Sequence, residues 1–286
     1  MTPLRQQMID DMSVRGMAET TKKAYLQAVS GLAKYYRRSP ERITDRDVQQ
    51  YLLHLMQERK LSWSTCNIAT NGLRFLYRVT LDRREAEFCI PRAKAPQRLP
   101  EIFSREEVER LLAAATEPKH RTLLMLTYSA GLRLSEVAHL KVTDIDSGRM
   151  SVRVDQGKGK KDRYTVLSKR MLRELRGYWL AYRPREWLFT GRDRARPVHP
   201  KTIQRIFHTA KDKAGIHKRC GIHALRHAFA THLLEAGTDV HTIQRLLGHG
   251  HISTTMRYFH LTQKHLLGTG SPLDLLDSPA AATMAF

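Results

Sequence analysis

The sequence predicts a mainly α-helical protein with one small antiparallel β-sheet, arranged as a helical bundle followed by an α+β domain. Along most of the chain, apolar residues recur every three or four positions, which is typical of amphipathic helices. Between residues 150 and 167 this spacing changes to two, which indicates a pair of strands. A length of 286 residues is enough for two domains that each bury a core.

The helical bundle is predicted for residues 1–88. Its clearest helix runs from Thr21 to Arg38, where apolar side chains with helical spacing share one face. A second helix is expected after Thr44, whose hydroxyl can cap the first turn, and a third after Ser62. The buried stripe of the third helix is expected to contain Leu73, Leu76 and Tyr77.

Residues 89–103 are predicted to be a basic linker. The stretch CIPRAKAPQRLP contains three prolines, which lack a backbone N–H, and it shows no hydrophobic periodicity. Its basic residues could contact phosphates, and a plain solvated tether explains them equally well. We place the second domain at residues 104–264 and a tail at residues 265–286.

The second domain opens with two clear helical signals. Ser104 and Glu107 form an S-x-x-E capping box, and an apolar helix follows at residues 121–128. Arg133 then stands in an apolar stretch, where an unpaired guanidinium would be costly to bury. Glu136, three residues later, is its predicted orienting partner.

The change of period predicts a β-hairpin with a lysine-rich tip. Val152 and Val154 alternate with polar residues on the first strand, and Tyr164 and Val166 alternate likewise on the return strand. The tip between them reads QGKGKKD and is a glycine-containing turn, not a Walker A loop. Helices are expected to resume at residues 168–182 and 201–214.

The charge balance predicts a polyanionic partner. Lys and Arg total 49 against 28 Asp and Glu, a formal net charge of +21. Such self-repulsion is tolerated mainly when a polyanion relieves it, which favours nucleic acid over a merely solvated basic surface. The candidate DNA contacts are Lys22, Lys23, Arg74, Arg78, Lys160, Lys161 and Arg163.

Membrane, secreted and disulfide-bonded classes are disfavoured. No apolar run approaches the ~20 residues that cross a bilayer, and the N-terminus carries acids where a signal peptide would be apolar. We therefore expect a cytoplasmic protein without a membrane partner. Cys66, Cys89 and Cys220 are far apart and form no CxxC pair, so neither a disulfide framework nor a cysteine zinc site is predicted.

The stretch from His223 to Tyr258 carries the strongest chemical signal. His223 and Arg226 lie three residues apart and would project from one side of a helix. A second amphipathic helix follows and ends before His249, and Tyr258 stands nine residues later. Each side chain has an ordinary structural explanation when taken singly. Together with Arg133 and Lys158, they make up the side chains needed for phosphoryl transfer.

Four motifs, GLRLSE, GKGKKDR, HALRHAFATHLLEAG and LLGHGHISTTMRY, resemble the signature boxes of the tyrosine recombinases. This is the phage-integrase and Xer-like group of site-specific DNA strand-exchange enzymes. The resemblance implies a DNA-clamping core-binding domain at residues 1–88 and a tyrosine-recombinase catalytic domain after the linker. It also implies a tetramer that exchanges strands of a double-stranded recombination site through a Holliday junction. The implied catalytic set is Arg133, Lys158, His223, Arg226, His249 and the nucleophile Tyr258.

The chemistry of these residue types agrees with the resemblance. Two arginines can brace the non-bridging oxygens of a phosphodiester while the tyrosine oxygen attacks. A phenol with a pKa near ~10 needs its proton accepted, for which His223 is the expected base, with His249 a second donor to the phosphate. Lys158 would protonate the departing 5′ oxygen. The 3′-phosphotyrosine conserves the bond energy, so no ATP, metal or other cofactor is expected.

Several alternatives remain open from the sequence. A metal-dependent hydrolase is suggested by the many histidines, but HALRH lacks the glutamate of HExxH, and Arg226 would repel a dication. A DNA-binding protein without activity would need no nucleophile, and rejoining to the same end would make a type IB topoisomerase. The acidic tail contains Leu273, Leu275 and Leu276 and could dock on a neighbouring protomer or be a disordered end.

Overall fold

A computed structural model of the chain describes residues 2–90, 101–155, 162–256 and 258. The chain divides into two compact units, Met1–Gln97 and Arg98–Phe286. Residues 91–100 of the predicted linker lie outside the described residues, as does the whole of the predicted tail. In the part of the chain that is described, no helix is long and apolar enough to cross a membrane.

Unit 1 is a helical bundle around one apolar core. Its helices are α1 (Pro3–Val14), α2 (Glu19–Tyr36), α3 (Asp45–Gln57) and α4 (Trp63–Phe75), with a 3-10 turn at Pro40–Arg42 and a π-helical turn at Leu76–Thr80. The predicted cap is confirmed, because Thr44 and Asp47 form a capping box at the start of α3. The predicted stripe of Leu73, Leu76 and Tyr77 is fully buried.

Helix α1 has no counterpart among the predicted helices. Only Met8 and Met12 of this helix are buried, so its sequence carries little amphipathic pattern. These two side chains, four residues apart, lie on one face and join the core of unit 1. Tertiary packing therefore stabilises a helix that the local sequence pattern does not predict.

Unit 2 combines eight described helices with a three-stranded antiparallel sheet. The helices are α5 (Arg105–Ala114), α6 (Pro118–Ser129), α7 (Leu134–Ala138), α8 (Lys169–Tyr182), α9 (Pro200–Lys213), α10 (His223–Glu235), α11 (Val240–Leu247) and α12 (Ile252–Met256). The strands are β1 (Ile145–Asp146), β2 (Ser151–Val154) and β3 (Arg163–Val166), in the order β1-β2-β3. The capping box of Ser104 and Glu107 is confirmed at the start of α5.

The return strand of the hairpin faces the opposite way from the prediction. Tyr164 and Val166 are exposed, whereas Arg163 and Thr165 are buried. In the antiparallel register, Val152 pairs with Thr165 and Val154 with Arg163, and directly paired residues share a face of the sheet. Thr165 can be buried because its hydroxyl donates to the Ala130 carbonyl at 3.0 Å. Polar side chains with partners inside the protein thus occupy the face where apolar ones were expected.

Candidate active site

The first turns of α10 present a histidine, an arginine and a second histidine on one side. His223, Arg226 and His227 occupy positions i, i+3 and i+4 of this helix. The Arg226 side chain is fully buried, and it donates to the carbonyls of Gly131 and Leu247, at 2.5 Å each. These two carbonyls follow α6 and end α11, so Arg226 ties three helices together at the site.

Glu136 is the shared counter-charge of three arginines. The predicted pair with Arg133 is confirmed, with Nη1 of Arg133 2.7 Å from Oε1 of Glu136. Arg163 donates from both Nη atoms to the two Glu136 oxygens at 2.7 Å each, a bidentate geometry. Nη1 of Arg226 lies 3.8 Å from Oε2 of Glu136. Since one carboxylate faces three guanidinium groups, the cluster keeps an excess of positive charge.

This charge balance shifts the pKa values of the cluster in opposite directions. Burial by itself would raise the pKa of the Glu136 carboxyl, but hydrogen bonds and charge from Arg163 and Arg133 outweigh it and lower the pKa to about 2. Burial and the charge of Arg133 lower the pKa of Arg226 to about 9, with Glu136 acting against both. At neutral pH both groups are therefore charged, and an anion at this place would relieve the repulsion among the arginines.

Arg163 is buried, whereas a side chain that contacts DNA at the surface would be exposed. Its side chain is 8% exposed, its Nη atoms hold Glu136, and its Nε donates to the Leu246 carbonyl at 2.9 Å. It lies at the start of β3, immediately after the hairpin tip. Its geometry favours a positioning role inside the protein, because its donors are directed at protein oxygens and away from solvent.

Gly248 is required where Arg163 passes the end of α11. Its φ of +63° is in the left-handed region, and a Cβ atom there would lie 2.7 Å from Cδ of Arg163. Nη2 of Arg133 also donates to the Gly248 carbonyl, at 3.4 Å. The glycine therefore ends α11 and lets the backbone approach two arginines of the site.

The histidines of the site are held in the neutral form by this environment. Burial, with the charges of Arg226 and Arg133, lowers the pKa of His223 and lowers that of His249 to about 4. Nδ1 of His249 is 2.9 Å from the Thr255 hydroxyl, which orients its ring. At neutral pH these imidazoles are neutral, and each can donate one hydrogen bond and accept another.

Tyr258 lies just after α12, inside the site. It is 5% exposed and packs in an apolar cluster with residues of α10 and α11, among them Phe229 and Leu247. Its hydroxyl is 3.0 Å from Nδ1 of His227, and its ring is nearly parallel to that of His249, with centroids 6.4 Å apart. The structure thus brings together five of the predicted catalytic residues, Arg133, His223, Arg226, His249 and Tyr258.

His227 is a site residue that was not predicted from the sequence. In the sequence, His227 was only one of several histidines that could suggest a metal site. Its position four residues after His223 was the available signal, because it places both rings on one side of α10. Within the described residues, no group of three or more His, Cys, Asp or Glu side chains is arranged to hold a metal ion.

The remaining candidate residues belong to unit 1 or lie outside the described residues. Lys158, Lys160 and Lys161 belong to the hairpin tip, which is not described. In unit 1, Arg74 donates to the Phe88 carbonyl and Arg78 to the Ala86 carbonyl, which anchors the segment after the π-helical turn. Lys22 contacts Glu19 at 2.8 Å, and Lys23 is exposed. Their contact with DNA stays a prediction.

Comparison with known proteins assigns the family. Residues 101–265 match the model of the phage integrase family, and residues 4–87 match that of the phage integrase N-terminal SAM-like domain. The chain belongs to the phage integrase family. It is therefore a tyrosine recombinase, a DNA breakage-and-rejoining enzyme of mainly α architecture with a small antiparallel sheet, as the motifs predicted.

Relatives of this tyrosine recombinase match most of its length. A putative integrase/recombinase, y4qK, of Sinorhizobium fredii is 45% identical over 98% of this chain and 91% of its own. Tyrosine recombinase XerA of Thermococcus kodakarensis is 37% identical over 81% of this chain and 84% of its own. The crystal structure of XerH recombinase bound to its difH substrate before cleavage has a TM-score of 0.71 at 19% identity, covering 95% of this chain and 85% of that one. At this sequence identity, the structural similarity to XerH supports the fold alone.

Proposed function

We propose that this recombinase cleaves a DNA strand by attack of the Tyr258 oxygen on a phosphodiester, which leaves a 3′-phosphotyrosine bond and a free 5′ hydroxyl. The observation that carries the proposal is the convergence of Tyr258 with Arg133, Arg226 and His249 beside an excess of positive charge. Rejoining the phosphotyrosine to a different 5′ end completes recombination. The broken bond's energy is retained, so the reaction requires neither ATP nor a metal ion.

The arginines stabilise the charge that develops on the phosphate. A guanidinium carries five N–H donors, so Arg226 can hold two backbone carbonyls and still donate to a non-bridging oxygen. Arg133 is oriented by Glu136 in the same cluster. Because these donors are held before the substrate arrives, they need little reorganisation in the transition state.

Proton transfer requires a base and an acid on opposite sides of the phosphate. We assign His223 as the base, whose lowered pKa keeps it neutral and able to accept the phenol proton. Lys158 of the hairpin tip would give a proton to the departing 5′ oxygen, and His249 would donate to the phosphate. The proton released by Tyr258 and the proton taken up by the 5′ oxygen balance.

A suicide DNA substrate tests the nucleophile. The wild-type protein should form a protein–DNA adduct that survives SDS, and Tyr258→Phe should form none, because the phenol oxygen is the group that bonds to phosphorus. Tyr25→Phe in α2 is the matched control and should react like wild type. An adduct formed by Tyr258→Phe would show that Tyr258 is not the nucleophile. Loss of the wild-type adduct in excess EDTA would instead indicate a metal requirement.

The proposed assembly is a tetramer on two copies of a double-stranded recombination site, which passes through a Holliday junction. Two proteins of similar fold have been crystallised on DNA: XerH recombinase bound to its difH substrate, and a lambda integrase dimer bound to a core site. A net charge of +21 suits this chain to the same kind of polyanion. In the cell we place it in the cytoplasm, on the nucleoid when bound to DNA.

A further inference from the structure

The Tyr258 hydroxyl contacts a histidine outside the predicted catalytic set. It lies 3.0 Å from Nδ1 of His227, although the two residues are 31 positions apart in the chain. The two rings are tilted by 53° with centroids 5.6 Å apart, so the contact is made at the ring edge. Because Tyr258 is 5% exposed, protein neighbours and not bulk water determine where its hydroxyl points.

His227 is held in a defined position by α10. It directly follows Arg226, whose side chain is anchored by two backbone carbonyls. On its other side, the His227 ring meets the His223 ring edge to face, with centroids 4.8 Å apart and planes at 88°. The contact with the His223 ring therefore restricts the orientation of the His227 ring, and the anchored Arg226 fixes the adjacent turn of α10.

The charge state of His227 suits it to hold a hydroxyl more than to remove its proton. Burial, followed by the charges of His223 and Arg226, lowers the pKa of His227 to about 4. Its imidazole is therefore neutral at neutral pH and carries one N–H that can donate a hydrogen bond. Such a ring can orient the hydroxyl by donating from Nδ1, and it leaves the phenol proton free for another base.

We propose that His227 is the positioning residue of the nucleophile: its Nδ1–H donates a hydrogen bond to the Tyr258 hydroxyl oxygen and aims that oxygen at the phosphate beside Arg226. The inference rests on the proposed function of Tyr258. It separates two tasks on one helix, since His227 orients the hydroxyl, and His223 takes the proton when the oxygen attacks. No bond to phosphorus and no net proton transfer involves His227.

Substitutions that move the polar atom of this side chain test the proposal. The asparagine amide places a polar atom near the position of Nδ1, the glutamine amide places one near Nε2, and alanine has neither. We expect His227→Ala and His227→Gln to slow single-turnover adduct formation at saturating suicide DNA by about 10- to 100-fold. His227→Asn should stay within a few fold of wild type, and the Kd for DNA should not change. The exposed His241→Ala is the matched control.

Two outcomes would overturn the proposal. One is a His227→Ala protein that forms the adduct at the wild-type rate. The other is an equal loss of rate in all three variants with a lower Tm, which would assign His227 a packing role only. Failure of the proposed function gives a different result, because Tyr258→Phe would then still trap DNA.

Discussion

Glu136 sets the charge balance of the arginine cluster from a single buried position. Its side chain is 5% exposed and accepts hydrogen bonds from Arg133 and Arg163. Removing one partner of a buried ion pair leaves an uncompensated charge, which destabilises a protein more than the intact pair stabilises it. Glu136 therefore supports the arginines of the site from a buried position.

We expect Glu136→Gln to lower the free energy of unfolding of unit 2 by about 3 kcal/mol, because three guanidinium groups lose their counter-charge. Urea unfolding checks this value, with the exposed Glu85→Gln as control. Adduct formation should fall as well, since Arg133 loses its orienting partner. A stability equal to that of wild type would contradict the role of Glu136.

The same substitution has a defined effect on acid unfolding. The pKa of Glu136 in the folded protein is about 2, below the ~4.3 of an unfolded chain. A lowered pKa contributes stability that is complete above about pH 5 and is lost as the pH falls towards about 2. Between about pH 5 and pH 2, Glu136→Gln should therefore lose less stability than wild type. Urea unfolding midpoints measured at successive pH values check this difference.

Lys158 is the proposed general acid, and its motif is the only support for this role. Lys158→Ala should slow cleavage by about 100-fold or more, because the 5′ oxygen then leaves without a proton. A 5′-bridging phosphorothiolate, whose leaving group needs no proton, should restore most of the rate. Lys160→Ala is the control and should cleave the ordinary substrate normally. Failure of the sulfur substrate to rescue Lys158→Ala would remove the general-acid assignment.

At the scale of elements, the site depends on where helices and strands end. Arg226 is anchored by the carbonyls of Gly131 and Leu247, which stand at the ends of α6 and α11. Arg163 enters the cluster from the first position of β3. The ends of several elements therefore meet around Glu136, and a shift of any one of them would displace an arginine.

Gly248→Ala tests this dependence at the end of α11. A side chain at its φ of +63° is strained, and the added Cβ would lie 2.7 Å from Arg163. We expect a loss of stability of about 1–2 kcal/mol, together with slower adduct formation. Gly250→Ala is the control, because a Cβ there meets nothing within 4 Å. Equal thermal unfolding of the two variants would contradict the argument.

At the scale of the whole molecule, charge is distributed unevenly along the chain. The net charge of +21 coexists with a segment after Lys264 that contains no Lys or Arg. Apart from that segment, basic residues occur throughout both units, as expected of a chain that binds a polyanion. We therefore expect the tail to lie away from DNA and its leucines to contact a protein partner.

We expect deletion of residues 268–286 to weaken tetramer assembly and strand exchange, because the apolar tail would no longer dock on a neighbouring protomer. Adduct formation on a suicide substrate should persist, since the catalytic residues remain. Gel analysis of synaptic complexes measures the first effect, and SDS gels measure the second. Unchanged assembly and exchange would refute docking by the tail.

The sequence by itself determined most of the helices and the position of the hairpin, and its motifs supplied the proposed catalytic set. Caps at Thr44 and Ser104 and the periodicity of apolar residues are local signals, and the pair of Arg133 and Glu136 spans one turn. Such features depend on neighbours within a few residues, so they can be predicted from spacing. Helix α1 and the two-residue strand β1 were missed because each carries too little pattern.

Only the tertiary structure decided how these side chains face one another. Arg163 turned inward because Glu136, 27 residues earlier, supplies a buried counter-charge, and this reversed the predicted face of β3. The contact of His227 with Tyr258 joins α10 to the segment after α12, across 31 residues. Neither contact follows from helical or strand spacing, because each depends on packing between elements that are distant in the chain.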